Sequence, residues 1–165
     1  AVAALDAPIL FVASPGGQSG SAIRIGKIIK ERGLDVVFYN ACDSACANYF
    51  FPAARTRVLY KNVAPTWHGS PGVFFRSAVS RTDLPPELNN LLGGGVPGFV
   101  REHEEFLNSF GWERRRLLDA LMSDPPDWME NTLGPDGYNY IKSWSYTDDV
   151  LCSAFQIGPT VRVAN

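Results

Sequence analysis

An apolar run near the start of this chain ends in a proline-glycine turn: Pro8-Ile9-Leu10-Phe11-Val12-Ala13-Ser14-Pro15-Gly16-Gly17. The apolar part, residues 8–13, is typical of a short and fully buried strand, which the turn ends. Residues 18–32 then repeat apolar side chains at helical spacing, and Gly33 is a favourable helix stop. Residues 34–39 form a second apolar run. The alternation of strand and helix predicts an α/β fold with a mostly parallel sheet.

The rest of the chain predicts a single domain over residues 1–165. Further predicted elements are a turn at 40–43, a short helix at 44–51, and strands at 57–60, 65–68 and 160–163. Residues 69–97 are rich in proline and glycine and predict a long loop, with at most a short helix at 86–92. Residues 98–123 carry two amphipathic patterns, at 98–110 and 112–123, and predict two helices.

The composition and charge favour an ordinary globular domain and give no support for several other classes of protein. The chain has 45% hydrophobic and 19% charged residues, which is ordinary for a globular domain. A net charge of -2 gives no support for a nucleic-acid or anionic-membrane partner. No apolar run approaches the roughly 20 residues that span a bilayer, and residues 1–5 show no signal peptide.

Ser44 lies between an apolar strand and a predicted helix. A side chain at such a junction faces the carboxyl edge of the strands, where open α/β sheets place their sites. A helix N-terminus also stabilises developing negative charge, so Ser44 is a candidate nucleophile. Its local sequence alone favours an ordinary helix cap, since serine is a favoured capping residue.

His68 follows a predicted short strand and is a candidate general base. Gly16 and Gly17 allow backbone amides to approach a substrate closely, although a plain tight turn has the same signature. The second histidine, His103, lies on the apolar face of the predicted helix at 98–110 and is expected to be a packing residue. Neither histidine has a second ligand at metal-binding spacing, so no metal site and no cofactor are predicted.

A third residue would orient the histidine and stabilise its charged form. Asp127 is the first candidate and Asp124 the second, and both follow a predicted helix end. Exposed acids are common at such positions, so the local pattern leaves their role open.

Two of the three cysteines flank Ser44. If a helix begins near Ser44, Cys42 and Cys46 can approach one another, or one of them can pair with Cys152. A disulfide would indicate an exported protein, whereas buried free thiols are the common alternative. A hydrolase that uses Cys42 or Cys46 as its nucleophile is a further, minor hypothesis.

The order and spacing of three pieces resemble the Clp-type serine proteases and their relatives in the crotonase-like superfamily. The pieces are residues 12–17, residues 41–46 and residues 57–68. The Cys-x-Ser-Ala-Cys form looks most like a bacterial branch of periplasmic Clp-like proteins. The likeness covers about residues 8–70, is looser over 99–130, and implies a spiral of strand-helix units with a helical handle at 98–123.

Carried over by position, the resemblance implies Ser44 as the nucleophile and His68 as the general base. The backbone amides of Gly17 and Ala45 would form the oxyanion hole. Asp127, which lies 59 residues after the histidine, would be the orienting acid, at a separation somewhat longer than the family's.

Gly16 and Gly69 would contact the substrate, and the glycine segment could pair with an extended peptide. The chain departs from the family before residue 8, where a first strand-helix-strand unit is expected, and in the proline-rich stretch at 69–97.

The resulting prediction is a serine hydrolase that cleaves peptide bonds, assembles into a homo-oligomer and resides in the periplasm or outside the cell. One alternative is a non-catalytic interaction protein on the same scaffold, since a fold does not determine a function. The other is an acyl-coenzyme A enzyme of the crotonase type, although no basic cluster for its phosphates is evident.

Overall fold

A computed structural model describes residues 8–68, 98–110, 143–153, 156–157 and 160–163. Its strands are β1 (Ile9–Ser14), β2 (Asp35–Cys42), β3 (Arg57–Tyr60) and β4 (Thr160–Val163). Its helices are α1 (Ser19–Glu31), α2 (Cys46–Phe50, with π-type hydrogen bonding), α3 (Phe51–Ala53), α4 (Gly98–Asn108) and α5 (Asp148–Ser153).

Within the described residues, the four strands form one all-parallel sheet in the order β1-β2-β3-β4. Val37 of β2 pairs with Phe11 on one side and with Val58 on the other. Each crossover between the first three strands is made by a helical connection, as parallel pairing requires. The predicted α/β class with a mostly parallel sheet is confirmed.

The inner face of the sheet forms the core together with the helices. Val36, Phe38 and Leu59 point to this face and are fully buried. They join one apolar cluster with Ile23 and Ile29 of α1, whose helical spacing the sequence shows. Burying this face is the main source of stability for the fold, since stabilisation scales with the apolar area removed from water.

Helix α4 packs against α1. Gly26 makes this close contact possible, because a Cβ there would lie 2.8 Å from the carbonyl oxygen of Tyr49 and 3.0 Å from the ring of Phe106. His103 is buried beside them, with its Nδ1 3.0 Å from the hydroxyl of Tyr49. His103 is therefore a packing residue, as its place on the apolar helix face predicted.

The outer face of the sheet carries apolar side chains that are exposed among the described residues. They include Phe11, which is 66% exposed, together with Tyr39, Tyr60, Val161 and Val163. Parallel sheets are ordinarily covered on both faces, so this surface is unusual in its composition.

A surface ion pair fixes the start of β2. Arg55 donates two hydrogen bonds to the carboxylate of Asp35, at 2.9 and 2.6 Å. These bonds lower the pKa of Asp35 to about 2. The pair is exposed, so its contribution to stability is small.

Two predicted elements, a turn and a strand, were wrong. The turn predicted at residues 40–43 is instead the end of β2, where Asn40 takes a positive φ of 77° and the strand continues to Cys42. The strand predicted at 65–68 is reduced to isolated bridges, from Thr66 to Asp43 and from Trp67 to Trp144. Helix α5 was not predicted at all.

Several predictions lie outside the described residues. These are the long loop at 69–97, the second helix of the handle at 112–123, and everything before residue 8. The described part of the handle is α4, which begins where predicted and ends two residues earlier.

Replacing a phenylalanine on each face of the sheet tests which face is the core. We expect Phe38→Ala to lower the free energy of unfolding by about 3–5 kcal/mol, because it leaves a cavity in a packed core. Phe11→Ala makes the same chemical change at an exposed position and should cost less than about 1 kcal/mol. Urea unfolding of both variants provides the comparison, and equal losses would contradict the assignment of the inner face.

Candidate active site

Ser44 occupies a strained turn between β2 and α2. Its φ is 55°, a left-handed conformation that residues with a Cβ adopt at a cost of about 1–2 kcal/mol. Backbone hydrogen bonds hold the turn: the Ser44 amide donates to the carbonyl of Thr66 at 2.8 Å, and the Asp43 amide donates to the carbonyl of Ser14 at 3.0 Å. The turn is thus fixed by contacts with neighbouring segments on both sides.

The helix that follows Ser44 is also irregular. The Asn48 amide donates to the Ser44 carbonyl at 2.8 Å, and residues 46–50 continue with π-type hydrogen bonding. Short π-helical turns are rare and are found frequently at functional sites. The turn and the helix together present the Ser44 side chain at the carboxyl edge of the sheet.

Gly16 packs directly beneath Ser44. A Cβ on Gly16 would lie 2.6 Å from the Cβ of Ser44 and 2.9 Å from the carbonyl oxygen of Asp43, so only glycine fits there. Its φ of 101° is likewise accessible mainly to glycine. The side chain of Ser14 accepts a hydrogen bond from the Gly16 amide at 3.2 Å and supports this turn. Gly16 is therefore a packing partner of Ser44.

Cys42 and Cys46 form a disulfide across the Ser44 turn, with their Cα atoms 5.2 Å apart. Both residues are buried, whereas Cys152 is an exposed free thiol. Of the pairings that the sequence left open, the structure has the one within the turn. A disulfide-bonded sulfur offers no thiolate, so the hypothesis of a nucleophilic Cys42 or Cys46 is not supported in this oxidised state.

His68 is positioned by the residue before it. Trp67 is fully buried and exchanges two backbone hydrogen bonds of 2.8 Å with Trp144, which lies 77 residues further along the chain. The ring of Trp67 also packs against Phe51 and Tyr146, with centroids 5.8 and 5.2 Å apart. This anchoring limits how far His68 can move from the edge of the sheet.

The structure brings Ser44 and His68 together. The Nε2 atom of His68 lies 2.6 Å from the Oγ atom of Ser44, which is hydrogen-bonding distance. His68 is exposed and Ser44 is partly buried, so the pair is open to a substrate. With the proton on Nδ1, the imidazole Nε2 accepts the hydroxyl proton, which is the arrangement that a serine nucleophile needs.

The two predicted oxyanion-hole residues border the same turn. Ala45 directly follows Ser44 and is buried, and Gly17 follows Gly16 with a φ of 134°. A Cβ added to Gly17 would have no protein atom within 4 Å among the described residues, so there is open space beside it. The predicted site residues Gly69, Asp124 and Asp127 lie outside the described residues.

Sequence reasoning missed one contributor to the site, Trp144. No local pattern indicated its role, because its partner is distant in sequence and the interaction is through the backbone. Across the described residues, no group of three His, Cys, Asp or Glu side chains is arranged to hold a metal ion. None of the helices in that part of the chain combines the length and apolarity of a membrane span.

Comparison with known proteins gives a structural likeness but no family. No family model and no curated protein sequence matches the chain. Among solved structures, it is similar to a mutant of the 1510-N membrane-bound stomatin-specific protease in complex with a substrate peptide. The identity is 13%, the TM-score is 0.47, and the alignment covers 96% of this chain and 63% of that one. The chain thus spans less than two thirds of the length of that protein.

The conformation of Ser44 can be tested without reference to activity. We expect Ser44→Gly to be more stable than Ser44→Ala by about 1 kcal/mol, because only glycine removes the cost of the left-handed backbone. Chemical denaturation of the two variants measures this difference, and both lack the hydroxyl, so lost hydrogen bonds cancel. An alanine variant as stable as the glycine variant would contradict the strained turn.

Proposed function

We propose that this protein is a serine hydrolase in which Ser44 is the nucleophile and His68 is the general base. The observation that carries the proposal is the 2.6 Å contact between Ser44 Oγ and His68 Nε2 at an exposed edge of the sheet. The strained conformation of Ser44 supports it, since such conformations cluster at active sites. An ordinary helix cap explains neither feature, because a capping serine bonds to its own helix.

In the first step, the Ser44 oxygen attacks the carbonyl carbon of the substrate while its proton moves to His68 Nε2. The carbonyl oxygen becomes an oxyanion, which we place between the backbone amides of Gly17 and Ala45. One such donor contributes roughly 2.7–4 kcal/mol of transition-state stabilisation in a serine protease.

In the second step, the tetrahedral intermediate collapses and His68 returns the proton to the leaving group. This leaves an acyl group on Ser44 Oγ. Water then attacks the acyl group with His68 again as the base, and release of the acid restores the serine hydroxyl. The exposed position of His68 allows water to reach it once the leaving group has departed.

We further propose Asp127 as the acid that orients His68, with Asp124 as the second candidate. Either carboxylate would accept a hydrogen bond from Nδ1 and stabilise the imidazolium that forms during attack. The assignment rests on the sequence, in which both acids follow a predicted helix end, and for Asp127 also on the resemblance.

The proposed substrates are peptides, and the resemblance to Clp-type proteases is the basis for this class. The turn at Gly16 and Gly17 could pair with an extended peptide beside Ser44, and Gly69 directly follows the proposed base. We also propose export to an oxidising compartment, which the Cys42–Cys46 disulfide supports. Assembly into a homo-oligomer is part of the same proposal and rests on the resemblance.

The exposed apolar face of the sheet favours a second candidate, a non-catalytic interaction protein on the same scaffold. Phe11, Tyr39 and Tyr60 lie on this face, and exposed apolar patches mark binding surfaces. This candidate requires no reactivity at Ser44, so one experiment distinguishes the two.

Labelling with a fluorophosphonate probe tests the proposed nucleophile. We expect one adduct on the wild-type protein, none on Ser44→Ala, and labelling of His68→Ala slowed by about 100-fold or more, since the base activates the serine. Intact mass spectrometry over time measures the rate, and peptide mapping gives the modified residue.

Ser153→Ala is the matched control, because it removes a hydroxyl from the exposed end of helix α5 and should label like the wild type. A folded wild-type protein that takes no adduct would contradict the hydrolase proposal and favour the interaction protein. An adduct that persists in Ser44→Ala would assign the reactivity to another residue.

A further inference from the structure

We propose that the Cys42–Cys46 disulfide holds Ser44 in its reactive conformation, so that a dithiol reductant switches the enzyme off. The switch in activity rests on the proposed function. The positioning of Ser44 by the disulfide does not, and it can be measured on its own.

The disulfide closes the shortest covalent ring that contains Ser44. Cys42 is the last residue of β2 and Cys46 is the first of α2, so the bond joins the two ends of the turn. Only Asp43, Ser44 and Ala45 lie between them. Fixing both ends of so short a segment leaves its backbone few alternatives to the left-handed conformation at Ser44.

The other restraints on the turn are hydrogen bonds. Two are local, since the Cys46 amide donates to the Asp43 carbonyl at 3.0 Å and the Asn48 amide donates to the Ser44 carbonyl at 2.8 Å. The Ser44 amide bonds to Thr66, and the Thr66 amide bonds to the Cys42 carbonyl at 3.1 Å. The Asp43 amide bonds to the carbonyl of Ser14, at the end of β1. If the turn relaxes, these hydrogen bonds can be replaced by hydrogen bonds to water, whereas the disulfide cannot be replaced in this way. The covalent link is therefore the restraint that keeps Ser44 in its strained conformation.

Reduction removes this restraint and also disturbs the packing. Two thiols need more room than a disulfide because their sulfur atoms are no longer bonded, and both side chains are 0–1% exposed in the core. Separation of the sulfurs would displace Cys46 and the first turn of α2, and Ser44 would move away from His68. The relaxed turn would adopt an ordinary backbone conformation.

The chemistry is a thiol–disulfide exchange. A thiolate of the dithiol attacks one sulfur and forms a mixed disulfide, and its second thiolate then releases the cysteine. Two electrons and two protons pass to the protein, giving two thiols, and the reductant leaves as a cyclic disulfide. Since both sulfurs are buried, the turn must open before attack, so reduction should be slow in the native protein and reversible on reoxidation.

The first experiment compares the Cys42→Ala/Cys46→Ala double variant with the control Cys152→Ser. Cys152 is exposed and unpaired, so its replacement removes a cysteine and leaves the disulfide intact. We expect the double variant to fold, with a lower melting temperature, and to label with the fluorophosphonate probe at least tenfold more slowly well below that temperature. The control should label at the wild-type rate.

The second experiment reduces the disulfide of the wild-type protein with dithiothreitol, so it does not depend on whether the double variant folds. Wild type should lose labelling in step with the appearance of two additional thiols, counted by maleimide mass shift, and regain it on reoxidation. The reductant should not change the labelling rate of a folded double variant. Its effect on Cys152→Ser should equal its effect on wild type.

Hydrogen exchange at the Ser44 amide reports on the conformation of the turn without requiring reactivity of the serine. The Ser44 amide is protected by its bond to Thr66, and we expect its exchange to quicken at least tenfold in the double variant or after reduction. If no form of the protein labels but the exchange of the Ser44 amide still quickens, the disulfide positions Ser44 and the proposed hydrolase function is wrong. This readout therefore separates the two claims.

Three results would overturn the proposal. Oxidised protein with three reactive thiols would show that the disulfide does not form. A double variant that labels at the wild-type rate and differs only in melting temperature would show that the disulfide is only a stabilising crosslink. Unchanged exchange at Ser44 after complete reduction would show that the turn holds its conformation without it.

Discussion

The left-handed backbone at Ser44 is the constraint on which the rest of the site depends. A serine in an ordinary helical or extended conformation at this junction would direct its side chain elsewhere, and the 2.6 Å contact with His68 would be lost. The conformation is unfavourable by itself, so it persists only because the surroundings enforce it. Those surroundings are the bond to Thr66, the disulfide from Cys42, and Gly16, which leaves space for the turn.

The parallel sheet explains why these restraints meet at one place. The strands β1 and β2 run in the same direction, so their carboxyl ends, at Ser14 and Cys42, lie at the same edge. The segment after β3 returns to this edge and brings Thr66 and His68 beside the turn. Ligand sites of open α/β sheets are found at this edge for the same reason, since loops from several strands converge there. The fold thus determines where Ser44 lies, and the turn determines how its side chain is oriented.

Local pattern predicts the elements that depend on local periodicity. The strand predicted at 8–13 and the helix predicted at 18–32 agree with β1 and α1 to within one residue at each end, and the strand predicted at 57–60 coincides with β3. The predicted turn at 40–43 had a physical basis, because Asn40 takes a positive φ and the pairing of β2 with β1 is irregular between Phe38 and Cys42. The pairing resumes where Cys42 lies opposite Ser14, so β2 extends to Cys42. Tertiary pairing therefore overrode the local signal.

Ser44 and His68 were candidates because each stands next to a recognisable turn, and their pairing was predicted from the sequence resemblance to Clp-type serine proteases. The contacts that hold this pair in place could not be predicted from the sequence. The strain at Ser44, the close approach of Gly16 and the bridge from Trp67 to Trp144 are relations between segments far apart in sequence. The choice among disulfide pairings was likewise open, since spacing alone allowed three cysteines to pair in more than one way.

The crystal structure of the fluorophosphonate adduct tests the account most directly. The account predicts phosphorus bonded to Ser44 Oγ, with the phosphoryl oxygen about 2.7–3.1 Å from the amide nitrogens of both Gly17 and Ala45. His68 Nε2 should remain beside the modified oxygen. A phosphoryl oxygen directed to solvent, with either amide turned away, would contradict the proposed site.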